Sequence, residues 1–194
     1  MTSLALLRHG PTRWSREHRL QGRADLGLDE AGRAALGLWR LPPEMTARRW
    51  LVSPLARARE TAALLGLTVE IEPRLIEMDW GAWEGRQAQE LRASEPGFAA
   101  DEARGLDLSP PGGESPRTVQ VRLLPLLAEL AAKPVPVGAV THKGVIRAVL
   151  ALATGWDMRG KAPARLRWDA VHLFELGPAG RPRIERLNLS LVAP

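Results

Sequence analysis

A length of 194 residues with 45% apolar content suits a single compact domain with a sizeable core. The absence of cysteine excludes disulfides and thiolate metal sites and fits a reducing cytoplasm, and the four histidines (His9, His18, His142, His172) lack the close spacing of a zinc helix, so no metal is expected. A net charge of +5 admits nucleic acid or small anions as partners, but the arginines are spread along the chain and the seven tryptophans do not alternate with basic residues, which argues against nucleic acid.

Leu4-Ala5-Leu6-Leu7 reads as a short buried strand that runs directly into Arg8, His9, Gly10 and Pro11, residues that end strands. The early polar turn at Arg8 leaves no room for a signal-peptide core, and charges or prolines interrupt every apolar run before it reaches membrane-span length, so a soluble cytoplasmic protein is expected. Pro11 to Asp25 is polar and aperiodic, a loop across the top of the sheet. Asp29-Glu30 opens a helix with Ala31, Ala34, Ala35 and Leu38 on its apolar face, closed by Pro42-Pro43. Trp50-Leu51-Val52 is a second strand, Ser53 is placed to cap a helix from Leu55 to Leu65, and Thr68 to Ile71 is a third strand. Two successive βα units predict a parallel sheet.

Arg74 to Gly85 is irregular and rich in acid and tryptophan, and Gln87 to Ser94 suits a short helix. Gly97 to Gly113 reads as a mobile loop over one end of the sheet, so residues 86–113 form a lid-like insertion in a single domain spanning 1–194. Ser115 caps a helix with Pro116 in its first turn and Val119, Leu123, Leu126, Leu127 and Leu130 as its core face; Pro125 should kink it. Val135 to Val140 is a further strand, Val145 to Ala153 an apolar helix, and Val171 to Leu176 and Ile184 to Leu189 two last strands. The fold predicted is a three-layer α/β/α sandwich with a mostly parallel central sheet.

Arg8-His9, Ser53 with Arg57, and His142 all stand where strands give way to turns or helices, so a parallel sheet can gather them on one edge. Two arginines and two histidines there, with helix N-termini adding free N–H groups, suit a phosphate. Taken singly, Arg57 reads more readily as a solvated helix charge, and His142 is equally compatible with a satisfied strand-end role.

These residues resemble a known family. Leu7-Arg8-His9-Gly10-Pro11-Thr12 is similar to the Arg-His-Gly signature of the histidine phosphatase superfamily, which includes cofactor-dependent phosphoglycerate mutases, fructose-2,6-bisphosphatase and α-ribazole phosphatase. The similarity continues, in order, through Gln21-Gly22-Arg23-Ala24-Asp25, Leu28 to Gly32, Ser53 to Ala62, Glu77 with Gly81-Ala82-Trp83-Glu84-Gly85, Pro111 to Ser115, and Thr141-His142. By this resemblance His9 is the nucleophile that carries the phosphoryl group. Arg8, Arg57 and His142 bind its oxygens. Glu77 protonates the leaving oxygen, a role that asks for a raised pKa promoted by Met78 and Trp80, and no metal or other cofactor is needed.

Two positions depart from the family pattern. Ser15 stands where asparagine is common, so its contact with substrate is shorter or made through water, and Lys143 stands where glycine is usual, adding a cation at the pocket rim or pointing to solvent. Ser15, Gln21, Gly22 and Lys143 are the candidate substrate-binding residues. Trp80 and Trp83 line the pocket or pack beneath the loop; Trp14, Trp39, Trp50, Trp156 and Trp168 are expected to pack, His18 to lie on the surface and His172 in a strand. The modest stretch from Arg86 to Pro110 lacks the long basic insertion of the mutases. Hydrolysis of a small phosphomonoester is therefore expected, with mutase-type transfer as the alternative, a non-catalytic binder of phosphorylated ligands or nucleic acid as a third reading, and a homodimer through a sheet edge as one assembly the pattern allows.

Overall fold

The computed structural model describes residues 1–191 and contains one six-stranded sheet. Strands β1 (Thr2–Arg8), β2 (Arg49–Val52), β3 (Val69–Ile71), β4 (Val137–Thr141), β5 (Ala170–Leu176) and β6 (Pro182–Ser190) lie in the order β3-β2-β4-β1-β5-β6. The first four in that order are mutually parallel, and β5 and β6 add an antiparallel edge. The predicted three-layer α/β/α architecture with a mostly parallel sheet is the one observed.

The pleat sorts the core into two halves. Leu4 and Leu6 of β1 face the layer of α6 (Pro116–Ala131) and α7 (Lys143–Thr154), where Val119, Leu123, Leu126, Leu127 and Leu130 are all buried as predicted. Ala5 and Leu7 face the opposite layer, built from α2 (Glu30–Leu36) and α3 (Ala56–Leu64), with Ala58, Ala62, Leu36 and Trp39 against them. Each fully buried leucine or valine contributes about 1.5–3 kcal/mol.

Several local expectations change. The segment 11–25 is not all loop: Thr12 and Ser15 form a capping box around a single helical turn, α1 (Arg13–Arg16). Helix α2 buries Gly32 and Leu36 while Ala31, Ala34 and Leu38 face solvent, because Gly32 lies against the Pro11 carbonyl, 2.0 Å from where a Cβ would stand. Ser53 does not cap α3; Pro54 holds the chain extended, the helix starts after Leu55, and the serine hydroxyl is engaged elsewhere. Helix α6 does continue through Pro125 as one element, as expected, and the carbonyl deprived of its partner belongs to exposed Val121, where water can satisfy it. After α4 (Ala88–Ser94), the segment read as irregular holds α5 (Phe98–Glu102) and a 3₁₀ turn at Gly105–Asp107, fixed by buried Phe98 against Trp83 at 4.7 Å and by buried Leu108. Trp83 is thus a packing residue.

Candidate active site

Strand register assembles the site. Arg8 pairs with Thr141 across β1 and β4, the His9 N–H donates to the Thr141 carbonyl at 2.9 Å, and the Ser53 N–H donates to Val140 at 3.0 Å. The carboxyl ends of β1, β4 and β2 therefore bring Arg8-His9, His142 and Ser53 side by side, where ligands bind in open α/β sheets. The His9 and His142 rings lie 5.2 Å apart.

His9 is buried, and its Nδ1 lies 2.7 Å from the Gly10 carbonyl oxygen. A carbonyl only accepts, so the proton sits on Nδ1 and Nε2 keeps its lone pair. Gly10 is held in turn: its N–H donates to the Thr61 hydroxyl at 2.8 Å, which donates to the Arg57 carbonyl at 2.6 Å. Burial, then the charges of Arg8 and Arg57, lowers the His9 pKa well below the ordinary value, against the pull of the Gly10 bond. His142 is lowered likewise by burial, then by Arg57 and His9. Both imidazoles are neutral at physiological pH.

Arg57 is fully buried on the first turn of α3 and donates to the Ala24 carbonyl at 2.8 Å and the Gly22 carbonyl at 2.7 Å. The loop that receives it is tied down by Asp25, which accepts from Ala56 N at 2.6 Å, and by Glu84, which accepts from Arg23 N and Ala24 N. Gly22 has φ +51°, and a Cβ there would stand 1.8 Å from Glu84 Oε1, so only glycine fits. Gln21 accepts from the Thr12 hydroxyl at 2.7 Å. Gln21 and Gly22 thus support the cations and the β1 loop from behind, and Ser15, which lines the cavity, gives its hydroxyl to the Thr12 backbone at 2.8 Å.

Glu77 is buried and meets the N-terminus of α7. Its Oε1 accepts from Met78 N at 2.8 Å and Gly144 N at 3.1 Å, with Oε2 3.2 Å from the same Gly144 nitrogen. A Cβ on Gly144 would stand 2.3 Å from Oε1, so glycine permits this approach. The Glu77 segment is clamped by Arg122, which donates to the Arg74 carbonyl, to the Ile76 carbonyl at 2.7 Å and to buried Glu114 at 2.9 Å. Sequence reasoning passed over Thr61, Arg122 and Glu114 as site supports; a hydroxyl four residues beyond Arg57 on the buried face of α3 was the available signal for Thr61.

Among the described residues, five buried side-chain nitrogen or oxygen atoms lack a partner, and three belong here: Arg8 Nε, Arg57 Nε and His142 Nδ1. The Ser53 hydroxyl lies 2.6 Å from His142 Nε2; with the serine donating, His142 carries its proton on Nδ1. Orphaned buried donors are costly, and three at one point make a site built for an anion. Burial, partly offset by Glu77, brings the Arg8 pKa down to about 10, which leaves it charged at neutral pH. A cavity of about 340 Å³ opens beside Arg8 and His9, walled by Pro11, Ser15, Arg16, Trp39, Trp168 and Asp169. Trp39 and Trp168, expected only to pack, face this space.

Residues 4–190 match the histidine phosphatase superfamily (branch 1). The chain belongs to that superfamily. It is 35% identical over 167 residues to the glucosyl-3-phosphoglycerate phosphatase of Mycobacterium tuberculosis, covering 76% of this chain and 73% of that protein. The structure of the mycobacterial enzyme Rv2419c with VO3 superposes with a TM-score of 0.81 at 30% identity, covering 98% of this chain and all of the other. The bifunctional protein Rv2228c of M. tuberculosis is 37% identical over 123 residues, 59% of this chain, and the chain spans about a third (33%) of that protein's length. A probable phosphoglycerate mutase GpmB of Cronobacter sakazakii is 33% identical over 129 residues, 63% of this chain and 60% of that protein.

Neutral buried histidines carry a cost on acidification. His172 on β5 is fully buried, contacts the Arg167 carbonyl at 3.1 Å, and has its pKa lowered to about 4 by burial. Above about pH 6.5 neither folded nor unfolded histidine is protonated, and nothing is lost. Below it, the unfolded chain takes up a proton that the folded one refuses, so stability falls until the folded pKa is reached, by up to about 3 kcal/mol for His172. Urea unfolding at stepped pH should show this loss between 6.5 and 4 in the wild type and a flatter curve in His172→Gln. Parallel curves would show that His172 is not responsible.

Proposed function

We propose that this chain hydrolyses a small phosphomonoester through a phosphohistidine intermediate. The observation that carries the reading is the convergence of an unprotonated His9 Nε2 with three partnerless buried donors, Arg8 Nε, Arg57 Nε and His142 Nδ1. Nε2 attacks phosphorus and the bond to the alcohol oxygen breaks; Glu77 gives that oxygen a proton. Water then attacks the phosphohistidine, Glu77 takes its proton, and phosphate departs with His9 restored. Charge spread over the equatorial oxygens is met by Arg8, Arg57 and His142, so the reaction needs no metal.

Mutase-type transfer is the second reading, favoured by the likeness to GpmB. Hydrolysis is preferred because residues 86–113 form short helices packed on Trp83 and carry no long basic cover for a phosphoenzyme. Nucleic acid is disfavoured, since many exposed arginines are already paired with acids, as in Arg49–Glu70, Arg92–Glu102, Arg117–Asp107 and Arg183–Glu175. A cytoplasmic location fits the cysteine-free sequence.

The test is phosphate release from a panel of phosphomonoesters with excess chelator. Turnover that resists the chelator is expected. No release from any ester, aryl phosphates included, would remove the hydrolase reading.

A further inference from the structure

The phosphate site leaves one strongly basic feature unused. Lys143 is the first residue of α7, where the helix dipole disfavours a cation, and Arg147 follows it at i+4, where like charges repel. A third cation is close: Arg8 lies 5.4 Å and the Lys143 ammonium 5.8 Å from the centre of the same Trp168 ring, and that ring walls the cavity.

No acid within the described residues pairs with either α7 cation. Lys143 is exposed overall, but crowding at its ammonium, then Arg8 and Arg147, lowers its pKa, and Glu77 offsets this only in part. Arg147 stacks on Trp156 at 4.8 Å, half-buried, with burial alone acting on it. The acids on the cavity side are committed: Asp169 pairs with Arg167 at 2.8 Å, Asp29 with Arg16, and both Glu77 oxygens receive backbone N–H groups. Lys143 and Arg8 share the Trp168 ring of the cavity wall, and Lys143 feels the charges of Arg8 and Arg147 with no paired acid, which is unfavourable in the free protein; an anion arriving with the substrate relieves it.

We propose that Lys143, backed by Arg147, is a second anion subsite beside the phosphate site, so that the substrate is a phosphomonoester bearing a further anionic group, carboxylate or phosphate, a few bonds from the ester. This rests on the phosphatase reading and narrows it to a substrate class. Trp168 spaces the two anions, with Arg8 serving the transferred phosphate and Lys143 the second group.

The test compares matched probes. 3-Phosphoglycerate and glycerol 3-phosphate differ by a carboxylate in place of a hydroxymethyl group; fructose 1,6-bisphosphate and fructose 6-phosphate differ by a phosphate. Wild type should favour the two-anion member of at least one pair in kcat/KM, and the pair showing it tells which second anion the subsite takes. Lys143→Met should reduce that preference about tenfold, chiefly through KM, and Lys143→Arg should restore it. A preference unchanged within about twofold in Lys143→Met, or no wild-type preference in either pair, overturns the subsite. If wild type releases phosphate from no ester, the phosphatase reading fails by itself. Calorimetric affinities of the same pairs for wild type and Lys143→Met then decide the subsite separately, by the same ratios.

Discussion

His9→Ala should abolish turnover, with kcat down by about 10⁴-fold or more, the scale seen when a covalent nucleophile is deleted. The geometry makes the loss specific to chemistry. Nothing else in the cluster can replace the imidazole, because His142 Nε2 is occupied by Ser53 and the arginines are permanently charged. The surrounding anion site survives the substitution: Arg57 keeps its bonds to Gly22 and Ala24, Arg8 stays on β1, and His142 stays held by Ser53 at the start of α7. The variant should therefore still bind inorganic phosphate by calorimetry while releasing none from an ester. Wild type quenched in alkali after mixing with a labelled ester should carry acid-labile, base-stable label, and His9→Ala should carry none. Turnover within about tenfold of wild type, or equal labelling of both proteins, would remove His9 as the nucleophile.

Much of this site was legible in the sequence because its chemistry sits at strand ends. A short apolar run breaking into Arg8-His9, and another breaking into Thr141-His142, mark carboxyl ends of buried strands, and parallel pairing brings such ends together. The core face of α6 was equally plain, since five apolar residues at helical spacing have one way to be buried together. Less could be read where a backbone contact decides the outcome. Helix α2 turns its glycine inward because Gly32 meets the Pro11 carbonyl, which no periodicity announces. Ser53 resembles a helix cap in sequence, and its bond to His142, 89 residues away, exists only in the fold. Trp168 belongs to the site for the same reason. It follows no strand motif, and its place beside Arg8 depends on the chain from Arg165 to Arg167 being held by Asn188, which donates to the Arg165 carbonyl at 2.9 Å and accepts from Arg167 N at 2.7 Å.

Glu77→Gln should separate esters by their leaving groups. Glutamine keeps the size of the side chain and an oxygen for the N–H groups of Met78 and Gly144, so the clamp by Arg122 and Glu114 stays intact and the protein folds. What is lost is the ability to give a proton to the departing oxygen and to take one from water. An alkyl phosphate, whose alkoxide leaves poorly without a proton, should lose about 10²–10⁴-fold in kcat/KM. An aryl phosphate with an acidic phenol leaves unaided, and its kcat/KM should fall far less. The second step offers no such escape, because the attacking water is the same for every ester. With the aryl phosphate, the variant should then show a burst of phenol close to one equivalent per enzyme, followed by slow turnover as the phosphohistidine waits for water. Equal losses on both esters would make Glu77 a positioning residue acting through charge on Arg8 and Arg57, whose pKa values its field raises. The leaving-group dependence assigns the proton, and the burst assigns the step.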